Sequence, residues 1–128
     1  MRFTLGKNEK LKSKSVIEQL FTDGSRIKSF PLQLVYLKNE QKLEPTIKVG
    51  FTVPKRSVKL AVNRIRIKRM MREAYRLNKH LFYKNLKNDY VFMFIYMTKD
   101  EIKHDALEQS IKKISDKFLI NINEDEQN

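Results

Sequence analysis

The sequence predicts an α+β fold: a single-domain α-β sandwich in which about three helices pack on a small mixed β-sheet. Three observations lead to this prediction. Apolar residues repeat with period two in some segments, which is typical of strands, and with the helical 3.6-residue period in others. The order of these segments is helix, strand, strand, helix, strand, helix. A chain of 128 residues with three Gly and three Pro fits one core with short connections.

The first element is a short helix. Ser15 and Glu18 have the spacing of a capping box, in which each side chain satisfies a free backbone N–H at the start of a helix. The apolar residues that follow predict a helix over about residues 15–22. Gly24 is expected to end it.

Two alternating segments follow and predict strands. Residues 30–37 place Leu32, Leu34 and Tyr36 on one face. Residues 47–53 alternate apolar with small or polar side chains. Because the two segments are joined by a short loop, we expect them to pair as a hairpin.

The second half of the chain predicts helix, strand and helix. Residues 58–78 contain neither Gly nor Pro and have the helical period. Residues 89–97 read as a buried strand, and their apolar run is too short to cross a bilayer as a helix. Residues 98–101 offer a second capping box. One face of the last helix is expected to carry Leu107, Ile111, Ile114 and Phe118. We place one domain at residues 1–122 and a polar, acidic and frayed tail at 123–128.

The charge of the chain predicts a polyanionic partner. Lys and Arg number 27 against 15 Asp and Glu, which gives a net charge of +12. Ten of the basic residues and one acidic residue, Glu73, lie between Lys55 and Lys79. Nucleic acid is the first candidate, because each phosphate contact releases condensed counterions.

Several other classes of function are disfavoured. The chain has no Cys, so disulfides and thiolate metal sites are excluded. We see no signal peptide or lipidation motif, and therefore expect a cytoplasmic protein that does not bind a membrane. His80 and His104 stand at unrelated positions, and the acidic residues show no nuclease-like clustering. We therefore expect no catalytic residue and no metal site in the protein.

The basic helix is expected to have two faces. Arg64, Lys68, Arg72 and Arg76 form one column at i, i+4 spacing, with Arg69 beside it. Glu73 is positioned to offset Arg69. The face expected to pack on the sheet carries Ile67, Met70, Met71, Ala74 and Leu77.

This segment resembles a known family signature. Lys55-Arg56 precede residues 61–73, which read A-V-N-R-I-R-I-K-R-M-M-R-E. The segment is similar to the ribonuclease P protein motif, whose core reads R-N-R-x-x-K-R-x-x-R-E. The resemblance covers about residues 3–119 and departs at Ile65, where the family has Asn. Because Ile65 falls among arginines, its replacement by Asn is expected to leave folding intact and to preserve or tighten RNA binding.

The resemblance implies a fold related to ribosomal proteins, with a left-handed crossover between the parallel strands that flank the basic helix. It also implies a ribonucleoprotein that removes the 5′ leader of precursor tRNA. The RNA subunit, with bound Mg²⁺, would carry the catalysis. The partners would then be ribonuclease P RNA and precursor tRNA, with no DNA and no small-molecule substrate.

Two sets of site residues follow from the resemblance. The RNA-subunit surface would comprise Lys55, Arg56, Arg64, Arg66, Lys68, Arg69, Arg72 and Arg76. A leader-binding cleft between the first helix and the sheet would comprise Lys12, Lys14, Ile17, Phe21, Val35 and Tyr36. Apolar and aromatic side chains in such a cleft can stack on bases with little sequence preference.

Three alternatives remain open on the sequence. A structural RNA-binding protein with no part in cleavage would have the same charge. A reader of double-stranded DNA would use the basic helix as a recognition helix, although a strand rather than a short turn precedes it. A self-sufficient nuclease would cut precursor tRNA without an RNA subunit.

Overall fold

A computed structural model describes residues 9–41 and 44–127 and confirms the α+β class. The helices are α1 (Lys14–Asp23), α2 (Ala61–Asn78) and α3 (His104–Gln127), with a 3-10 helix at Lys79–Phe82. The strands are β1 (Ser25–Ser29), β2 (Leu32–Gln41), β3 (Ile47–Thr52) and β4 (Asn88–Tyr96). The predicted elements occur in the predicted order. β1 is an additional strand that the sequence analysis missed.

The strands form one mixed sheet in the order β1-β2-β4-β3. β2 is antiparallel to both β1 and β4, whereas β3 is parallel to β4. The predicted hairpin between β2 and β3 is therefore wrong. β4 separates them because residues 91–96 are all buried, and a strand that is apolar on both faces favours an interior position in the sheet. The chain reaches β4 from β3 through α2, as a parallel pair requires.

The sheet is covered on both faces. α1 packs on one face over a small core of Leu20, Val35, Val91, Met93 and Ile95. The other face packs on α2 and α3 and carries the larger, aromatic core. There, the ring of Phe118 from α3 lies 5.0 Å from Phe92 and 5.2 Å from Tyr36, both edge-to-face. Such contacts add to the stabilisation that burial supplies.

Both predicted capping boxes are wrong in detail. α1 begins at Lys14, and its capping residue is Ser13, whose hydroxyl accepts a hydrogen bond from the Val16 N–H at 3.4 Å. The Thr98 hydroxyl accepts from the Asp100 N–H at 3.1 Å, in a turn that precedes α3. Side chains of this type form local turns as readily as helix caps, so spacing alone did not distinguish the two.

The last helix extends further than predicted. Its apolar face is confirmed, because Leu107, Ile111, Ile114 and Phe118 are all fully buried. The segment predicted as a frayed tail continues as helix to Gln127, and Asn128 lies outside the described residues.

The core face of α2 is confirmed in most positions. Ile67, Met71 and Ala74 are buried, and Met70 packs against the core. Leu77 is 37% exposed, so its assignment to this face is wrong. Tyr75 and Asn78 occupy the interior instead. The Asn78 amide donates to the Ala74 carbonyl at 2.8 Å and to the Glu108 carboxylate at 3.1 Å, which fastens α2 to α3.

Candidate nucleic-acid interface

A groove runs along the outer edge of the sheet, beside β3. The segment before α1 forms one wall, because the Leu11 N–H donates to the Val49 carbonyl at 3.0 Å and Lys10 bridges to the same residue. α2 forms the other wall. The groove has a volume of about 510 Å³.

The groove combines cationic walls with an apolar floor. Lys10 and Lys12 line one wall, and Lys68 and Arg72 line the other. The floor consists of Gly50, Phe51 and Met93. Within the described part of the chain, no acidic residue lines it. Such a surface suits an extended polyanion whose phosphates meet the cations and whose flat, apolar groups lie on the floor.

Gly50 keeps the floor open. A Cβ at this position would lie 2.9 Å from the Met93 methyl group and 3.7 Å from the Leu11 Cβ. A side chain here would therefore displace Met93 or fill the groove. Beside it, the Arg72 guanidinium lies 5.9 Å from the centre of the Phe51 ring, a distance suited to a cation–π contact.

A buried ion pair holds the N-terminal wall in place. The Lys79 ammonium lies 2.9 and 3.2 Å from the two Glu9 carboxylate oxygens. The Tyr83 hydroxyl donates to Glu9 at 2.9 Å and accepts from the Ile47 N–H at 3.1 Å. Burial raises the pKa of Tyr83. This network is not predictable from the sequence, because Glu9 and Lys79 are 70 residues apart.

The predicted RNA-subunit cations fall into two groups. Three of them are engaged within the protein. Arg64 donates to the carbonyls of Val58 at 3.0 Å and Lys59 at 2.7 Å. Arg66 forms an ion pair with Glu101, and Arg76 forms one with Glu73.

The ion pair of Glu73 corrects the sequence analysis, which assigned this carboxylate to Arg69. Arg76 lowers the pKa of Glu73 through a hydrogen bond, and Arg66 lowers the pKa of Glu101 in the same way. The other predicted cations are exposed and have no acidic partner among residues 9–41 and 44–127: Lys55, Arg56, Lys68, Arg69 and Arg72.

The predicted leader cleft is only partly assembled. Lys12 and Ile17 line the groove. Phe21 is 39% exposed and lies one helical turn after Ile17, so it extends the same face of α1. Lys14 is exposed at the start of α1 and does not line the groove.

Val35 and Tyr36 do not belong to this cleft, so that part of the prediction is wrong. Val35 is fully buried beneath α1. Tyr36 points to the opposite face of the sheet, into the aromatic core. β2 is an interior strand of the sheet, and successive residues of such a strand face opposite sides, so Val35 and Tyr36 do not line one surface.

The described residues contain no group of three His, Cys, Asp or Glu side chains that could hold a metal ion. The cations of the groove would also repel Mg²⁺, so its residues do not fit that ion. No helix in the described ranges combines the length and apolar character needed to cross a membrane.

Comparisons with known proteins agree with these features. The sequence model of the family described as Ribonuclease P matches residues 5–119. The chain is 42% identical over 88 residues to the ribonuclease P protein component of Chlorobaculum tepidum, covering 66% of this chain and 57% of that protein. It is 31% identical over 112 residues to the component of Pseudoalteromonas translucida, covering 88% and 75%. The matched region thus spans less than two thirds of the first relative.

Two solved structures share the fold. The ribonuclease P protein of Thermotoga maritima has a TM-score of 0.67 at 18% identity, covering 83% of this chain and 94% of that one. The Staphylococcus aureus protein has a TM-score of 0.62 at 18% identity, covering 82% and 90%.

Proposed function

Because the chain belongs to the bacterial ribonuclease P protein family, we propose that it is the protein component of a ribonucleoprotein that removes the 5′ leader of precursor tRNA. The observation that carries this proposal is the groove at the β3 edge, with four cations above an apolar floor. The chemistry of this site fits a single strand of RNA. It does not fit a nucleic-acid duplex, which a protein helix would read from the major groove of the duplex.

In this proposal, the groove binds the leader. Lys12 and Lys68 contact phosphates on opposite walls, and Ile17 and Phe21 contact bases. These contacts depend little on the identity of the base, which suits leaders of different sequence. This assignment moves Lys68 and Arg72 from the predicted RNA-subunit surface to the leader site.

The exposed cations away from the groove bind the catalytic RNA subunit. Lys55, Arg56 and Arg69 contact its phosphates, which positions the protein without reading sequence. The RNA subunit and its bound Mg²⁺ carry the cleavage chemistry. The protein contributes no catalytic group, and it acts in the cytoplasm, where precursor tRNA is its second partner.

Cleavage assays at low Mg²⁺ test the proposal. Precursor tRNA is incubated with a bacterial ribonuclease P RNA, with and without this protein, and with the protein alone. We expect stimulation when protein and RNA are combined and no cleavage by the protein alone. Binding without stimulation would instead support a structural RNA-binding protein, and cleavage by the protein alone would indicate a self-sufficient nuclease.

Replacement of Phe21 by Ser is expected to weaken leader binding about tenfold, since one aromatic contact with a base contributes about 1–3 kcal/mol. The free energy of unfolding should fall by about 1–2 kcal/mol, because Phe21 is 39% exposed and the covered part of its ring loses apolar contact. The measurement is the affinity of the assembled particle for precursor tRNA with a long leader and with a leader of one nucleotide. Phe30→Ser is the matched control, because Phe30 is 70% exposed and does not line the groove. Equal losses in both variants, or with both substrates, would contradict the role of Phe21.

Replacement of Glu101 by Gln is expected to tighten RNA binding by about threefold, the scale of an exposed ion pair. The Arg66 guanidinium is released from its partner and becomes available to a phosphate. The measurement is the affinity for ribonuclease P RNA at several salt concentrations. The slope of log affinity against log salt concentration should become steeper by up to about 0.7–0.9, the contribution of one phosphate contact. Asp116→Asn, which removes an exposed carboxylate on α3, is the control. Weaker binding by the Glu101 variant would show that the ion pair helps to position Arg66.

A further inference from the structure

Three large apolar residues are exposed at the start of α2. Leu60 is 64% exposed, Val62 is 69% exposed and Ile65 is 60% exposed. Single exposed apolar side chains are ordinary on a protein surface. Three of them within six consecutive positions, inside the most basic segment of the chain, are not. These three side chains contribute little to the stability of the fold, because most of their surface stays exposed to water in the folded protein.

Val62 and Ile65 share one patch with two arginines. Positions three and four apart are neighbours on a helix, so Val62 adjoins Ile65 and Arg66, and Ile65 adjoins Arg69. We call these four residues the apolar-arginine patch. The patch is separate from the groove, since none of the four lines it.

The charges around the patch indicate its partner. Arg66 and Arg69 flank the two apolar side chains, and Lys55, Arg56 and Lys59 lie in the segment just before α2. Among the described residues, Glu101 forms an ion pair with Arg66 of the patch. A ligand that complements these features is a polyanion that also has a flat apolar surface, which describes an unstacked nucleotide.

A membrane fits the patch less well. Helices that bind a bilayer surface carry an apolar face along much of their length. On α2, Ile67, Met71 and Tyr75 face the protein core, and the exposed face beyond the patch continues with Arg72. The next exposed large apolar residue of α2 is Leu77, twelve positions after Ile65, so no continuous apolar face forms.

We propose that the apolar-arginine patch binds one unstacked base of the ribonuclease P RNA subunit, an inference that rests on the proposed function. The base lies against Val62 and Ile65, the Arg69 guanidinium stacks on it or binds the adjacent phosphate, and Arg66 binds a second phosphate once it leaves Glu101. Val62 and Ile65 contribute a component of affinity that does not depend on salt, whereas the phosphate contacts of the two arginines do depend on it.

This inference reverses the expectation drawn from the sequence for Ile65. That expectation treated Ile65 as an isolated apolar residue among arginines. The exposure of Val62 beside it shows that the site is an apolar pair. An Asn at position 65 would remove half of the surface that the base covers, so Ile65→Asn is expected to weaken binding.

The experiment measures the affinity of the full chain for a bacterial ribonuclease P RNA at several salt concentrations. We expect Ile65→Ser and Ile65→Asn to bind about fivefold more weakly than wild type, the lower end of what one base contact supplies. The salt dependence should be unchanged, since no charge is removed. Arg69→Gln, in contrast, should make the salt dependence shallower. Ile120→Ser is the matched control, because Ile120 is 57% exposed on α3.

Methylation of the RNA bases by dimethyl sulfate locates the base, and hydroxyl-radical cleavage reports on the backbone. The footprints are compared at concentrations of wild type and of Ile65→Ser that saturate the RNA. We expect at least one base to be protected by wild type and not by Ile65→Ser, with an unchanged backbone footprint. Wild-type affinity in the Ile65 variants would overturn the inference while leaving the proposed function intact. Failure of the wild type to bind the RNA would overturn both. If the Ile65 variants lost self-association, or lost binding to anionic vesicles, while their affinity for RNA was unchanged, the inference would be overturned. The partner of the patch would then be a second copy of the protein or a membrane.

Discussion

Replacement of Lys79 by Met is expected to lower the free energy of unfolding by about 3 kcal/mol, the cost of removing one partner from a buried ion pair. The side chains of Lys79 and Glu9 are 4% and 14% exposed, so the remaining carboxylate is poorly solvated. For a chain of this length, the loss corresponds to a decrease of about 10 °C in the midpoint of thermal unfolding. Binding of the leader should also weaken, because Glu9 anchors the segment that forms one wall of the groove.

A double-mutant cycle separates the ion pair from other effects of the substitution. Thermal and denaturant unfolding are measured for Lys79→Met, Glu9→Gln and the double variant. The double variant should lose less than the sum of the two single losses, by about 1 kcal/mol or more. Lys84→Met, at an exposed lysine, is the control and should unfold as wild type does. Additive losses would show that Lys79 and Glu9 contribute to stability independently.

Simultaneous replacement of Lys68, Arg69 and Arg72 by Gln is expected to remove three phosphate contacts in total, two to the leader of precursor tRNA and one to ribonuclease P RNA. Assembly of the complex of protein, ribonuclease P RNA and precursor tRNA should therefore weaken by about a hundredfold near 0.1 M salt. Each phosphate contact contributes about 0.7–0.9 to the slope of log affinity against log salt concentration, so three contacts account for about two units of slope. The side chains are exposed, and the variant also loses repulsion among its own cations. Folding should therefore be preserved.

The control for this experiment removes the same charge from another surface. Lys84, Lys112 and Lys113 are exposed lysines outside the groove and outside α2. Their replacement by Gln lowers the net charge by the same amount. If affinity depended only on net charge, both triple variants would bind equally weakly and with equal slopes. Selective loss in the α2 variant would place the RNA on the surface formed by α2 and the groove.

The local elements of this protein were largely predictable from the sequence. α2 and α3 have long apolar faces with the helical period, and the buried positions of Ile67, Met71 and Phe118 follow from that spacing. β4 was identifiable by its uninterrupted apolar run. β1 was missed because Ile27 is its one buried residue, so its polar sequence carries no strand pattern.

The candidate site was predictable only where one element supplies its residues. The exposed cations of α2 follow from helical spacing, because positions on one helix have a fixed geometry. Whether an arginine binds a carboxylate depends on elements distant in sequence, as the pair of Arg66 with Glu101 shows. The cleft assignment of Tyr36 failed for the same reason, since its face of the strand could not be tied to α1 or α3 without the packing.

The sequence by itself determined the fold class, the helices, one buried strand and a concentrated positive charge, because each depends on periodicity or composition within one segment. The tertiary structure alone decided that β4 lies between β2 and β3, that the N-terminal segment and α2 face each other across β3, and that Glu9 meets Lys79. These features arise from competition among long-range pairings for the same buried surface, and no local pattern along the chain records the outcome of that competition.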